Sequence, residues 1–216
     1  MAFSHRRLPH LWNPAHPVFI TWRLHGSLPP HRVFTGGLLA SGQAFAALDR
    51  LLDEARTGPF LPSTASAGGR QPALADMVVE ALHYNAEVLR HYDLHAFVVM
   101  PNHVHLLLTP CIALPKLTKF IKGITAKRAN QLPGLAGQSF WQEESYDHMV
   151  RNGQEFQRIR LYIENNPVRA GLMLEPGAYR WSSGGATRGS PADQGVRPTK
   201  YWCAAAFFGG RRVSHF

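Results

Sequence analysis

The sequence predicts an α+β chain, a ferredoxin-like split βαβ arrangement in which an antiparallel sheet carries its connecting helices on one face. Three observations predict it. The apolar pattern switches period along the chain in the order strand, two helices, strand, strand, helix, strand, helix. The two central strands, residues 94–100 and 103–109, are separated only by Pro101-Asn102, and both are turn formers, so the strands form an antiparallel hairpin. Finally, 216 residues at 45% hydrophobic content can bury one substantial core, and two full domains would be crowded.

Each element follows from its own residues. After a Pro- and His-rich lead-in, Val18-Phe19-Ile20-Thr21-Trp22-Arg23-Leu24 is rich in β-branched and aromatic side chains and stops at Gly26-Ser27-Leu28-Pro29-Pro30. Residues 38–55 place Leu38, Ala44, Phe45, Leu48, Leu51, Leu52 and Ala55 at helical spacing. Residues 62–72 are small and polar and read as a flexible insertion. A second helix over 73–90 runs through Met77, Val78, Ala81, Leu82 and Val88, with Asp76 and Glu80 near its positive end. A third, over 114–132, is apolar at Leu114, Leu117, Phe120, Ile121 and Ile124, with Lys116, Lys119, Lys122, Lys127 and Arg128 over its remaining surface. Residues 138–150 read as an irregular strand. Asn152 with Glu155 makes a capping box for a last helix, apolar at Phe156, Ile159 and Ile163, that Pro167 should end. Past Gly171 the pattern decays through Trp181-Ser182-Ser183 into a Gly/Pro/Ser-rich basic tail, so the domain is placed at 1–183 and the tail at 184–216.

Lys+Arg 23 against Asp+Glu 14 gives a net charge of +9 with neutral histidines, which points to a polyanionic partner, nucleic acid first. Cys111 and Cys203 stand far apart without a paired motif, as in a reducing compartment, and are expected to be spectators. The N-terminus lacks the apolar segment of a signal peptide and no stretch approaches a membrane span, so a cytoplasmic protein without a membrane partner is expected.

Along a strand side chains alternate faces, so His103 and His105 point one way while Val104, Leu106 and Leu108 point the other. Two imidazoles side by side on a rigid strand are half of a metal site. If the apolar side lies under the connecting helices, the histidines occupy the open face, where the last helix could cover them. On that helix Tyr162 and Asn166 lie one above the other, flanking the Ile159–Ile163 stripe. Taken alone, Tyr162 reads equally as a core-edge residue with a bonded hydroxyl, and Asn166 as a helix-end cap.

Met100-Pro101-Asn102-His103-Val104-His105-Leu106-Leu107, followed by Tyr162-Ile163-Glu164-Asn165-Asn166-Pro167-Val168-Arg169-Ala170-Gly171-Leu172, closely resembles the REP-associated tyrosine transposases, a branch of the single-tyrosine HUH nucleases. The resemblance extends from Val18 to about Ser183 and takes in Phe140-Trp141-Gln142 and Tyr146-Asp147-His148. It implies an HUH-type fold in which His103 and His105 bind a divalent cation, Mg or Mn, Asn166 completes the metal site, and Tyr162 attacks a DNA phosphodiester. It further implies a single-stranded substrate with imperfect hairpins, a 5′-phosphotyrosyl intermediate and rejoining without ATP. The basic third helix is then read as contacting phosphate, and Trp22 or Trp141 as either stacking on bases or filling the core. Monomer and dimer both remain open.

Three rivals stand beside this reading. One is a host-retained protein that binds hairpins without cutting them, and a second is a metal-dependent phosphoesterase in which water is the nucleophile and Tyr162 is structural. The third, an RNA-binding module, lacks an aromatic signature on the central strands.

Overall fold

The computed structural model describes residues 2–5, 9–13, 16–28, 42–54, 61, 74–132 and 134–185. The insertion at 62–72, the tail beyond 185 and Cys203 lie outside them. The chain opens on a two-stranded hairpin, β1 (Ala2–His5) against β2 (Pro9–Trp12), in a lead-in whose composition has no alternating pattern to foretell it. Pro9 is tolerated as the first residue of its strand.

The main sheet contains β3 (Val18–Arg23), then, after helices α1 (Gly42–Glu54) and α2 (Leu74–His83), the hairpin β4 (Tyr92–Val99) and β5 (His103–Pro110). Helix α3 (Leu114–Ala129), strand β6 (Tyr146–Met149) and helix α4 (Gly153–Arg169) complete it. The strands are ordered β4-β5-β3-β6 and every pairing is antiparallel, as the sequence predicts. Pro101-Asn102 closes the hairpin, and the Met100 N–H donates to the His103 carbonyl at 2.8 Å. Register then sorts the side chains. Trp22 faces Val104 and Ile20 faces Leu106 on one side of the sheet, while Thr21 faces His105 and Arg23 faces His103 on the other.

Both sides are covered, and β5 is buried along its whole length. On the apolar side α2 brings His83 edge-on to Phe97, with ring centroids 5.4 Å apart. There too the Trp141 indole N–H donates to Thr125 of α3 at 2.8 Å while its ring packs against Trp22. Trp22 and Trp141 are therefore core residues. On the histidine side α4 sets Tyr162 against Phe19 and His105, as expected for the last helix. Helix α1 also lies on this side, where it brings Asp49 against the histidines, rather than with the other connecting helices.

Four elements differ from expectation. Helix α2 passes into a π-helical turn, Tyr84–Val88, where the buried Asn85 amide donates to the Ala81 carbonyl at 2.8 Å. In α3, Phe120 and Ile124 are about half exposed, because Thr125 and Ala129 continue the buried stripe of Leu114, Leu117 and Ile121. The predicted strand over 138–150 shrinks to β6 plus a single bridge between Trp141 and Leu24, its acidic middle leaving the ladder. Helix α4 runs past Pro167 to Arg169, with the Ala170 N–H still reaching the Asn166 carbonyl at 2.9 Å and Gly171 closing it at φ 69°. So near the helix end, proline removes one backbone bond and the chain continues for the final turn.

The Trp181-Ser182-Ser183 segment, which carried no readable pattern, pairs with the outer edge of β4. The Val99 N–H donates to Trp181 and the Ser183 N–H to Phe97, at 2.8 and 2.9 Å, capping an edge that would otherwise be open.

Candidate active site

Asn102 is more than a turn former. Its amide donates to the Leu52 carbonyl at 2.9 Å, so its oxygen faces His103 Nδ1, 2.7 Å away, and accepts a hydrogen bond from the Nδ1–H. That leaves His103 Nε2 with a lone pair aimed inward. Thr21 Oγ1 lies 2.7 Å from His105 Nδ1 and orients that ring, and the two Nε2 atoms lie 3.1 Å apart. Both imidazoles are buried. Burial, with His105 beside it, pushes His103 down to about 3 against the pull of Asp49, so the ring is neutral at any ordinary pH.

Asp49 is the residue sequence reasoning missed. Its side chain is fully buried, with Oδ1 2.9 Å from His105 Nε2 and 3.6 Å from His103 Nε2. Burial pushes this carboxyl up, but His105, His103 and Arg169 outweigh it and hold Asp49 below the usual range. Its other oxygen, Oδ2, accepts the Tyr162 hydroxyl and lies 3.4 Å from the Asn166 amide nitrogen. One carboxylate thus touches the histidine pair with one oxygen and the tyrosine with the other. A signal was present: Asp49 stands four residues after Phe45 and three before Leu52, inside the apolar stripe of its helix, where an acid needs a buried partner.

The donor set fits a divalent cation. Asp49, His103 and His105 each offer one ligand atom within 4.8 Å of the others. The spacings of 2.9 to 3.6 Å match those of atoms sharing one ion at about 2.1 Å each. Asn166 is fully buried, its amide nitrogen is 3.5 Å from His105 Nε2, and its Oδ1 has no hydrogen-bond partner, so turning the amide over would offer that oxygen to a cation in the cluster. Tyr162, Asn166, His103 and His105, all expected from sequence, are therefore brought together.

One turn beyond Asp49, Asp53 Oδ1 is 4.0 Å from His103 Nε2 and likewise has no hydrogen-bond partner. Burial and then the Asp49 charge push Asp53 up to about 7. Its neutral form is favoured by folding, so its contribution is complete below the unfolded value near 4 and is lost as pH rises through 7. Asp53→Asn removes this dependence. Relative to wild type, the metal-free variant should gain up to about 1.4 kcal/mol of stability per pH unit between roughly pH 4 and 7. Urea unfolding across that range checks it, and a constant difference would place Asp53 outside the buried set.

The basic residues of α3 are not part of this cluster. Trp141 and Trp22 tie α3 to the opposite side of the sheet from the histidines. Lys122 donates to the Gln142 and Glu143 carbonyls, both at 2.7 Å, and Arg128 pairs with Glu80 at 2.7 Å. Lys116 lies over the Phe120 ring at 5.9 Å, while Lys119 and Lys127 are exposed.

Residues 70–166 match the family described as "Transposase IS200 like". The segment contains both histidines, Tyr162 and Asn166, and leaves out β3 and α1. Among solved structures the chain is similar to a REP-associated tyrosine transposase bound to a REP hairpin. The identity there is 17%, covering 98% of this chain and 99% of that one, with a TM-score of 0.49. It is also similar to a putative transposase from Deinococcus radiodurans R1, at 22% identity over 69% of this chain and 89% of that one, with a TM-score of 0.32. No curated protein matches the sequence.

Proposed function

We propose that this chain is a single-tyrosine HUH strand transferase that nicks and rejoins single-stranded DNA at palindromic hairpins. The observation that carries the reading is the Asp49 carboxylate, shared between the histidine pair and the Tyr162 hydroxyl. A phenol with an ordinary pKa near 10 is a poor nucleophile at neutral pH, and a carboxylate already accepting its hydrogen bond is placed to take its proton.

The bonds that change are few. Tyr162 Oη attacks phosphorus, the bond from phosphorus to the 3′ oxygen breaks, the phenolic proton passes to Asp49 Oδ2, and the departing oxygen takes a proton from water and leaves as a 3′-hydroxyl. The product is a 5′-phosphotyrosyl enzyme, which a second 3′-hydroxyl can attack in reverse. A divalent ion, Mg or Mn, held by His103, His105, Asp49 and Asn166, would supply Lewis-acid stabilisation of charge on the phosphate oxygens. Thr21 and Asn102 keep both imidazoles oriented for it.

The motif resemblance to REP-associated transposases supports hairpin DNA as the substrate, and the +9 charge supports a polyanionic partner. Among the basic residues of α3, Lys116, Lys119 and Lys127 retain exposed ammonium groups for phosphate, whereas Lys122 and Arg128 are engaged within the protein. Replacing Lys116, Lys119 and Lys127 by Gln should flatten the slope of log affinity against log salt, by roughly 0.7 for each single-strand phosphate that these ammonium groups neutralise. Fluorescence anisotropy over a salt series checks it, and an unchanged slope would make the face merely solvated.

The strand-transferase reading is tested by incubating the protein with hairpin-bearing single strands from around its own gene, with Mg or Mn. A covalent protein–DNA band that survives denaturation is expected. Binding without a band would favour a hairpin binder, and cleavage without one would favour a water-using phosphoesterase.

A further inference from the structure

Helix α4 carries one more group to the site. Because the helix continues past Pro167, Arg169 lies two turns beyond Tyr162 on the same side, and its guanidinium carbon sits 4.6 Å over the centre of the Tyr162 ring. Arg169 is exposed, and none of its N–H donors has a protein acceptor among the described residues. A guanidinium that stacks through its flat face keeps its donors in the plane of its edge. Here the guanidinium carbon lies over the nucleophile's ring, within cation–π reach, and its N–H groups are unspent on protein acceptors among the described residues.

We propose that Arg169 is a positioning residue for Tyr162, restraining the phenol ring by stacking while its free N–H edge binds an oxygen of the DNA phosphate that the hydroxyl attacks. The inference rests on the strand-transferase reading and adds to it a phosphate anchor on the nucleophile's own helix. Its surroundings are consistent with it. The positive charge of Arg169 already acts on both Asp49 and Asp53, so it lies within electrostatic reach of the carboxylates that line the site. Phe19 of β3 also meets the Tyr162 ring edge-on at 6.2 Å, so the sheet restrains the ring as well. A lysine in this place would keep the charge and lose both the flat stack and the bidentate edge.

Two measurements on the full chain test this, one without DNA and one with it. In protein carrying 13C-labelled tyrosine rings, the Tyr162 resonance, identified by its absence in Tyr162→Phe, should shift and change width in Arg169→Ala. A resonance that does not move overturns the stack, whether or not the protein cuts DNA. With hairpin DNA and Mn, Arg169→Ala should form the covalent adduct roughly 10- to 100-fold more slowly at saturating DNA, with hairpin affinity within about threefold. Arg169→Lys should recover only part of the rate, and added guanidinium ion should restore Arg169→Ala several-fold. An Arg169→Ala rate equal to wild type, or equal rescue by ammonium, overturns the phosphate anchor while leaving strand transfer by Tyr162 intact. If wild type itself forms no adduct, the strand-transferase reading falls and the anchor with it, and the resonance still decides the stack.

Discussion

Tyr162→Phe is expected to abolish the covalent adduct and strand cleavage together, while hairpin affinity stays within a few fold of wild type. The substitution removes one oxygen and keeps the ring, so the packing against Phe19, His105 and Arg169 persists. It is not silent for stability. The hydroxyl donates to a fully buried carboxylate, and losing a hydrogen bond to a charged acceptor costs about 1.5–3 kcal/mol. The metal-free variant should therefore melt below wild type, with a smaller deficit once a divalent ion holds Asp49 Oδ1. Residual cleavage by Tyr162→Phe would assign the nucleophile to water or to another residue, Tyr146 being the nearest candidate in sequence.

The second large effect concerns the ligands. Asp49→Ala, like His103→Ala or His105→Ala, should weaken Mn binding by at least two orders of magnitude and remove cleavage, since each offers one of the three clustered donor atoms of the proposed site. Asn166→Ala should lose less, about tenfold, because its amide lies at the margin of the cluster. Isothermal titration with Mn separates the two classes. If Asp49→Ala bound the ion as tightly as wild type while Asn166→Ala did not, the metal site would be the pair of histidines with Asn166 alone, and Asp49 would serve only the tyrosine. Asp49→Asn distinguishes these roles further. It keeps an oxygen for the phenol but loses the charge that the cation and the departing proton both require.

How much of this was legible depended on whether the signal was local. The histidine strand, the Pro101-Asn102 hairpin and the Tyr162–Asn166 turn were readable because alternation and helical phase operate over a few residues. So was the cap of α4, where the Glu155 N–H donates to Asn152 Oδ1 at 2.9 Å. Asp49 was not read, because its partners stand 54 and 56 positions later, at His103 and His105, and nothing in the spacing of α1 says which side of the sheet the helix will cover. Its place inside an apolar stripe was nevertheless a clue that a buried partner exists. The opposite error befell Lys122. A lysine on the polar face of a basic helix looks like a phosphate ligand, and only the path of the chain over 142–143 shows that its ammonium is spent on two carbonyls. Likewise Pro167 escapes the rule that proline breaks helices in their interior, because only a final turn follows. That final turn is what carries Arg169 to the tyrosine.

The most direct test of the central claim is to trap the adduct between the wild-type chain and a hairpin-bearing strand, digest it with nuclease and trypsin, and locate the attached nucleotide by mass spectrometry. Cleavage after Arg160 and Arg169 yields the peptide Leu-Tyr-Ile-Glu-Asn-Asn-Pro-Val-Arg, whose sole tyrosine is Tyr162. The expected result is a nucleotide joined through its 5′-phosphate to that peptide, with a free 3′-hydroxyl on the other fragment. A nucleotide on the peptide that contains Tyr146, or cleaved DNA with free 5′-phosphate and no modified peptide, would contradict it.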